Sequence, residues 1–421
     1  MTRTPGNKAG GNQAAETVEV AGELARSGAW DAAYRRLAAV DDVATLDGDA
    51  LEAFATCAYM CGREDDFVDL LSRAFDAFSA ADAPMRAART AFWIGLTLMF
   101  RGEMGRGGGW LSRCERLVDD HGGACAESGY VLLPQVEGAL SAGDTAAAER
   151  LASQALEIGE RHGDNDLAEL ARHLVGRARI AAGAMNEGLA CLDETMLAAT
   201  ERRLAPIVTG LVYCSVIAVC QQYQIFRRAR EWTLALSDWC DAQPEMVAFT
   251  GRCMIHRSEI LILEGRWREA ADEAGSACRR LTSGASGHRA GPAYYQEGEI
   301  LRLNGRFDEA DERYRAASRL GFDPQPGLAL MRLSQGELTS AGAAIRRSLA
   351  AAGDVPARLR LLPAAVEIAL AAGDTEAAEE YCGELAEFVQ RYASDAAEAA
   401  SAEARGDLHL ARGDAGDALK D

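Results

Sequence analysis

One arrangement of apolar and polar positions recurs along almost the whole chain: a glycine, any residue, an aromatic or apolar residue, two more positions, then a small residue. It is clearest in Gly28-Ala29-Trp30-Asp31-Ala32-Ala33, Gly265-Arg266-Trp267-Arg268-Glu269-Ala270 and Gly305-Arg306-Phe307-Asp308-Glu309-Ala310. Weaker copies begin at Gly62, Gly102, Gly143, Gly183, Gln224, Gly336, Gly373 and Gly413, so successive copies lie 34, 40, 41, 40, 41, 41, 40, 31, 37 and 40 residues apart. Eleven copies at so steady a period mark an internal repeat. Glycine supplies the left-handed backbone that ends one helix, and a following Asp or Thr (Asp144, Thr145, Asp374, Thr375) can cap the next. Each phrase therefore predicts the turn of an antiparallel helix pair.

The register places two columns of small residues on those helices. Five residues past the turn stand Ala33, Gly107, Ala148, Gly188, Ala229, Ala270, Ala310, Ala341, Ala378 and Ala418, with Phe67 the large exception. Seven before it stand Gly176, Ser258, Gly298, Ala329 and Gly406, with larger Val136, Ile217 and Val366. Small side chains at both places let two helices approach closely. Thr282–Pro292, rich in Gly and Ser, predicts an exposed loop, and Gly321–Gly327 with its two prolines predicts the shortened unit behind the spacing of 31. A change of superhelix direction at that shortened unit is expected to divide the array.

Composition agrees with helix throughout. Hydrophobic residues make up 48% of the 421 positions but aromatic ones only 6%, alanine and leucine dominate, and β-branched runs are scarce. The most apolar run, Leu204–Cys220, is broken by Pro206, Thr209 and Ser215, so it predicts a buried helix, and no stretch has the length of a membrane span. The polar, Gly-rich Met1–Gln13 has no apolar core of a signal peptide, which predicts a disordered tail over residues 1–15 and a cytoplasmic location. Eleven scattered cysteines without a C-x-x-C pair, Cys57, Cys214, Cys220 and Cys253 among apolar neighbours, predict reduced core thiols. A net charge of -20 repels phosphate backbones and anionic lipid. Neither a membrane nor DNA is an expected partner of this chain alone.

The Gly-x-aromatic-x-x-Ala turn and the small residues on both helices resemble the tetratricopeptide repeat over nearly the whole chain. The period of about 40 residues exceeds that family's roughly 34, and the terminal proline of each unit is missing except near Pro324. The implied fold is all-α: a right-handed superhelix, or α-solenoid, of about ten antiparallel helix pairs. The array runs over residues 16–320 and continues over 321–421, where the last phrase, Gly413–Asp421, stops mid-repeat. Such an array leaves a concave groove lined by the first helix of each pair.

Six residues before the turns from Gly143 onward, on that groove-lining helix, the chain has Glu137, Arg177, Ala218, Glu259, Glu299, Leu330, Glu367 and Asp407. Carboxylates on otherwise apolar helices, as in Glu259-Ile260-Leu261-Ile262-Leu263, suit a basic or polar peptide, or a small cationic effector. Glu137, Arg177, Glu259, Glu299 and Glu367 are thus the candidate partner or ligand residues.

Catalytic chemistry has little purchase. Asp65, Asp66 and Asp69 have the D-D-x-x-D spacing of helical magnesium-dependent terpene cyclases, but no second metal-binding segment accompanies them, and acids also suit a helix start after the Gly62 turn. Arg106-Gly107-Gly108-Gly109-Trp110 lacks the Lys and Ser or Thr of a phosphate loop and predicts a distorted turn. The histidines at 121, 162, 173, 256, 288 and 409 form no zinc spacing, and no Ser sits in a nucleophile elbow. The basic doublets Arg202-Arg203, Arg227-Arg228, Arg279-Arg280 and Arg346-Arg347 fit helix ends and solvated faces. No catalytic, cofactor-binding or metal-ligating residue is expected.

From Tyr295 to Leu349, the runs Gln296-Glu297-Gly298-Glu299-Ile300-Leu301-Arg302-Leu303-Asn304-Gly305-Arg306-Phe307-Asp308-Glu309-Ala310 and Leu320–Leu330 resemble the repeat region of actinobacterial LuxR-type transcriptional regulators. That resemblance implies an effector-sensing or partner-binding array in transcriptional regulation. The chain carries neither the helix-turn-helix nor the phosphate-binding ATPase of such proteins. The alternative is a free-standing adaptor unrelated to transcription.

Overall fold

The structure, a computed structural model, describes residues 7–41, 45–282, 287–392 and 394–419. Among these residues it forms twenty-two α-helices and no strand. They alternate as first and second members of pairs: α1 (Asn7–Arg26) with α2 (Trp30–Asp41), α3 (Gly48–Met60) with α4 (Glu64–Ala80), α5 (Pro84–Phe100) with α6 (Met104–Asp120), and α7 (Glu127–Ser141) with α8 (Thr145–His162). There follow α9 (Asn165–Ala182) and α10 (Met185–Thr200), α11 (Pro206–Gln222) and α12 (Phe226–Asp241), α13 (Thr250–Leu263) and α14 (Trp267–Thr282), and α15 (Gly291–Leu303) and α16 (Phe307–Arg319). The last are α17 (Gly327–Ser334) and α18 (Leu338–Ala351), α19 (Val355–Ala371) and α20 (Thr375–Tyr392), and α21 (Asp395–Arg412) and α22 (Ala415–Ala418).

All eleven turn positions of the repeated phrase have positive φ, from 57° at Gln224, the one copy without glycine, to 97° at Gly183. Asp144 and Asp374 cap their helices by accepting from the amides of Ala147 and Ala377. The two small columns face each other where α5 meets α6, α9 meets α10 and α13 meets α14. A Cβ on Gly107 would stand 2.9 Å from the Gly95 carbonyl oxygen, and one on Gly176 would stand 2.8 Å from that of Gly188. In α13 the hydroxyl of Ser258 donates to the Ala270 carbonyl at 2.9 Å. Ala33, Ala148, Ala229, Ala270, Ala310, Ala341 and Ala378 are all fully buried, and Phe67, the exception, is buried against the Tyr59 ring. The structure is thus an all-α solenoid of helix pairs.

Four sequence expectations need adjustment. Helix α1 begins at Asn7, inside the stretch read as a tail; two glycines there are flanked by helix-forming Lys8, Ala9, Gln13 and Ala14, while residues 1–6 lie outside the described residues. Gly107, Gly108 and Gly109 lie within α6 rather than in a distorted turn, because Gly107 is needed where α6 meets Gly95 of α5. The segment Thr282–Pro292 is not an open loop throughout. Residues 283–286 lie outside the described residues, yet Ala290 is fully buried, and a Cβ on Gly291 would stand 2.8 Å from Phe322 Cβ. The shortened unit is real, since α17 has only eight residues, but the chain does not divide there.

Instead the chain forms two compact units. The first draws its described residues from Met1–Arg179, Gly188–Tyr213 and Ala235–Thr250, and the second from Ile180–Glu187, Cys214–Leu234 and Gly251–Asp421. Each contains a contact between elements far apart in sequence. In the first unit the segment following α12 straps the turns at Gly28 and Gly62. Trp30 Nε1 donates to Gln243 Oε1 at 3.0 Å, and the Asp31 amide donates to Glu245 Oε2 at 3.0 Å. The amides of Val247 and Ala248 both donate to the Met60 carbonyl, at 2.8 and 3.1 Å. In the second unit the end of α20 straps the turns at Gly183 and Gln224. Arg391 donates to the Ala182 carbonyl at 3.2 Å, Ser394 Oγ donates to the Gln224 carbonyl at 2.9 Å, and Tyr223 lies against Phe388 and Tyr392.

Candidate binding groove

The polar column falls on first helices, as the register requires: Glu137 on α7, Arg177 on α9, Glu259 on α13, Glu299 on α15 and Glu367 on α19. Its members do not behave alike. In the first unit Glu137 and Arg177 satisfy each other, Arg177 Nη2 donating to Glu137 Oε2 at 3.0 Å while Nη1 reaches the other oxygen. They are one repeat apart at the same register, so opposite charges there meet across neighbouring first helices. Arg89 on α5 does the same work off the column. It pairs with Glu127 of α7 at 2.8 Å and Asp164 beside α9 at 2.7 Å, at the edge of a cleft of about 490 Å³. Tyr130 donates to Asp164, and Asp166, its carboxyl raised by burial, accepts from the Ala205 amide at 2.9 Å. Arg89, Glu127 and Asp164 follow one another at intervals of 38 and 37 residues, close to one period. Charge spacing by one period could have disclosed them in the sequence.

In the second unit Glu299 is enclosed. Arg302 donates to it at 3.0 and 3.3 Å, the Tyr314 hydroxyl donates to it, and a Cβ on Gly327 would collide with its carboxylate. Glycine at 327 is therefore a requirement of this buried network, and burial drives the Tyr314 and Tyr295 hydroxyls far above their usual range. Glu299 is a core group and no free carboxylate.

Glu259 is different. Burial pushes its carboxyl up to about 7, against the opposing influence of Gln296, Arg360 and Arg252. Gln296 Nε2 donates to its Oε1 at 2.8 Å. One turn earlier on α13, buried His256 meets Gln221 Oε1 of α11 through Nδ1 at 2.7 Å, while its Nε2 has no partner among the described residues. Burial holds that imidazole neutral, its pKa lowered to about 3. Polar groups of α11, α13 and α15 thus form a seam, with Arg252 and Arg360 within electrostatic reach of Glu259. Both arginines are exposed and neither has an ion pair among the described residues. Glu367 is exposed on α19, and burial, with nearby Asp407 and Glu403, raises its carboxyl. Sequence reasoning singled out Glu259 and Glu367 but missed Gln221, Arg252, His256, Gln296 and Arg360, which lie off the column.

The aspartates at the start of α4 are dispersed. Asp65 pairs with Arg101 at 2.8 Å, Asp66 accepts from the Tyr34 hydroxyl at 2.7 Å, and Asp69 is exposed. None of the eleven cysteines forms a disulfide, nine of them are buried, and burial raises the Cys57 thiol to about 12. Among the described residues no helix is long and apolar enough to cross a membrane. A second cavity, of about 360 Å³, lies between α18, α19 and α20 with Ile345, Ile368 and Tyr381 in its walls.

No family model matches the chain, and no curated protein does either. Solved structures similar to it include a tetratricopeptide repeat protein from Parabacteroides merdae, at 14% identity and a TM-score of 0.42, covering 66% of this chain and 99% of that one. Another is yeast Tom70, at 12% identity and a TM-score of 0.39, covering 95% and 96%. A third is the Cut9–Hcn1 hetero-tetramer of APC/C, at 13% identity and a TM-score of 0.38, covering 95% and 85%. At these values the likenesses add nothing to what the helix pairs themselves display.

Proposed function

We propose that the chain is a non-catalytic binding module that holds a segment of a partner protein along the first helices of its second unit. The observation that supports this is the convergence of Arg252 and Glu259, Gln296, and Arg360 from three different first helices. Two of these groups are cations with no ion pair among the described residues, and one is a carboxyl held near neutrality by burial. A peptide offers amides and charges of both signs, which matches this mixture better than a purely basic ligand does. Glu299, enclosed by Arg302 and Tyr314, contributes shape rather than free charge.

The test is capture of a partner by the intact chain, location of the bound segment by cross-linking, and titration of that segment as a peptide. Glu259→Lys and Arg360→Glu should each weaken binding by about tenfold or more. A peptide that binds both variants as it binds the wild type removes the groove reading.

In the finer reading the module is the sensing array of a LuxR-like transcriptional regulator, which rests on the resemblance over Tyr295–Leu349. A helix-turn-helix segment of about 60 residues continuing the same reading frame favours it, and a frame without one favours a free-standing adaptor. A small effector is the second reading, favoured by the cavity of about 360 Å³ beside α19.

A further inference from the structure

The two straps show what the turn edge of a repeat is able to hold. Trp30, two residues past Gly28, is 3% exposed because Gln243 and Glu245 cover it, and the Met60 carbonyl, two residues before Gly62, receives two amides from the same strap. In the second unit the edges at Gly183 and Gln224 are covered by Arg391, Tyr392 and Ser394.

The edges at Gly265 and Gly305 belong to the clearest copies of the same phrase, yet among the described residues nothing covers them. Trp267 stands at the register of Trp30 but is 41% exposed, and among the described residues its Nε1 has no acceptor. Leu263 and Leu303 stand at the register of Met60 and are 56% and 38% exposed, where Met60 is fully buried. Their carbonyls take no backbone donor comparable to Val247 and Ala248. A Cβ on Gly265 or Gly305 would meet no atom within 4 Å, whereas one on Gly62 would meet Val247 at 2.8 Å.

Charge distinguishes the open edge from the covered one. Ala29 and Asp31 flank Trp30, while Arg266 and Arg268 flank Trp267. Arg266 is engaged by Glu264 and Glu269, and Arg268 is exposed without an ion pair among the described residues. The covered edge already accepts a carboxylate, that of Glu245, beside a resident aspartate. At the Gly265 turn arginine stands in place of that aspartate and favours an acidic residue of the occupant there, while at the Gly305 turn Asp308 keeps the aspartate register.

We propose that the edge formed by Leu263, Trp267 and Leu303 docks an extended acidic segment of a partner protein, one that carries the chemistry of Gln243–Ala248. The segment lays apolar side chains on Leu263 and Leu303, gives an acceptor to the Trp267 indole, places a carboxylate beside Arg268, and donates its amides to the free carbonyls. This surface is separate from the groove proposed above, and either can fail without the other.

The probe is a synthetic peptide with the sequence of residues 241–249, added to the full-length chain labelled with ¹⁵N. The Trp267 indole signal, identified by its loss in Trp267→Phe, should shift saturably at up to about millimolar peptide, while the Trp30 signal stays in place because its strap is occupied. Peptide carrying Glu245→Lys should bind at least about tenfold more weakly, and the surface variant Leu303→Glu, checked for native helix content, should lose the shift. An unmoved Trp267 signal, or equal binding by the Glu245→Lys peptide, overturns the proposal. So does a Trp267 shift that follows protein concentration without peptide, together with a dimer in sedimentation, because that assigns the edge to a second copy of the chain.

Discussion

Gly107 and Gly108 are neighbours in α6 with opposite surroundings. A Cβ on Gly107 would lie 2.7 Å from Met99 Cγ and 2.9 Å from the Gly95 oxygen, and one on Gly108 would meet nothing within 4 Å. Gly107→Ala should therefore cost about 1–3 kcal/mol by overpacking, and Gly108→Ala should stabilise by about 0.5–1 kcal/mol through helix propensity; urea melts of the two variants decide this. Titration separates other single residues. Burial raises Glu259 to about 7, so the folded state holds a proton that the unfolded chain releases, and stability falls as pH rises from the ordinary carboxyl range through 7. Glu259→Gln, which can still accept from Gln296, should raise the melting temperature at pH 8 and change it little at pH 4. Burial lowers His256 to about 3 and His173 to about 4, which has the opposite sign. Their contribution is complete above pH 6.5 and is lost as pH falls toward those values. Acid melts should therefore steepen below pH 6.5, and less so in a variant lacking either histidine.

At the scale of the helix pair, the turn and the two small columns were legible in the sequence because each is fixed by local geometry. A left-handed residue ends the first helix, and the helices can then meet only where side chains are small. Ala310 tests the register. It is fully buried opposite Gly298, whose own Cβ position is filled by the Tyr314 ring. Ala310→Trp should cost on the order of 1–3 kcal/mol, whereas Arg306→Ala, which removes an exposed pair with Glu309, should stay within about 0.5 kcal/mol. Equal shifts in the urea midpoint would contradict the pairing. The candidate groove was less legible. The column found Glu259 and Glu367 but could not distinguish them from Glu299, whose enclosure depends on Tyr314 from the next helix and on Gly327 after the shortened turn. Nor could it show that Glu137 and Arg177 cancel, although their separation by one period with opposite charge was visible in the sequence. Local propensity also misread Gly107–Gly109 as a turn, because the reason for glycine lies on α5.

At the scale of the whole molecule, repeat arrays ordinarily contact only their neighbours, so stability spreads from unit to unit along one dimension. The straps depart from that pattern. Gln243 meets Trp30 across 213 residues of sequence, and Arg391 meets Ala182 across 209. Segments such as Gln243–Ala248 have no periodicity, so nothing local in the sequence announced them. Each strap ties early repeats of its own unit to a later element, and the tie should be measurable as protection of the early repeats. Glu245→Ala removes the carboxylate that accepts from the Asp31 and Ala32 amides, a loss of about 1 kcal/mol by analogy with a helix cap. Val247→Asp places a charge where a side chain packs over Gly62. In the double variant, hydrogen exchange should quicken in α2 and at the α3–α4 turn while α15 and α16 keep their protection. If protection falls evenly along the chain instead, the first unit unfolds as one cooperative body with the rest. If no amide changes, the strap rests on the early turns without holding them.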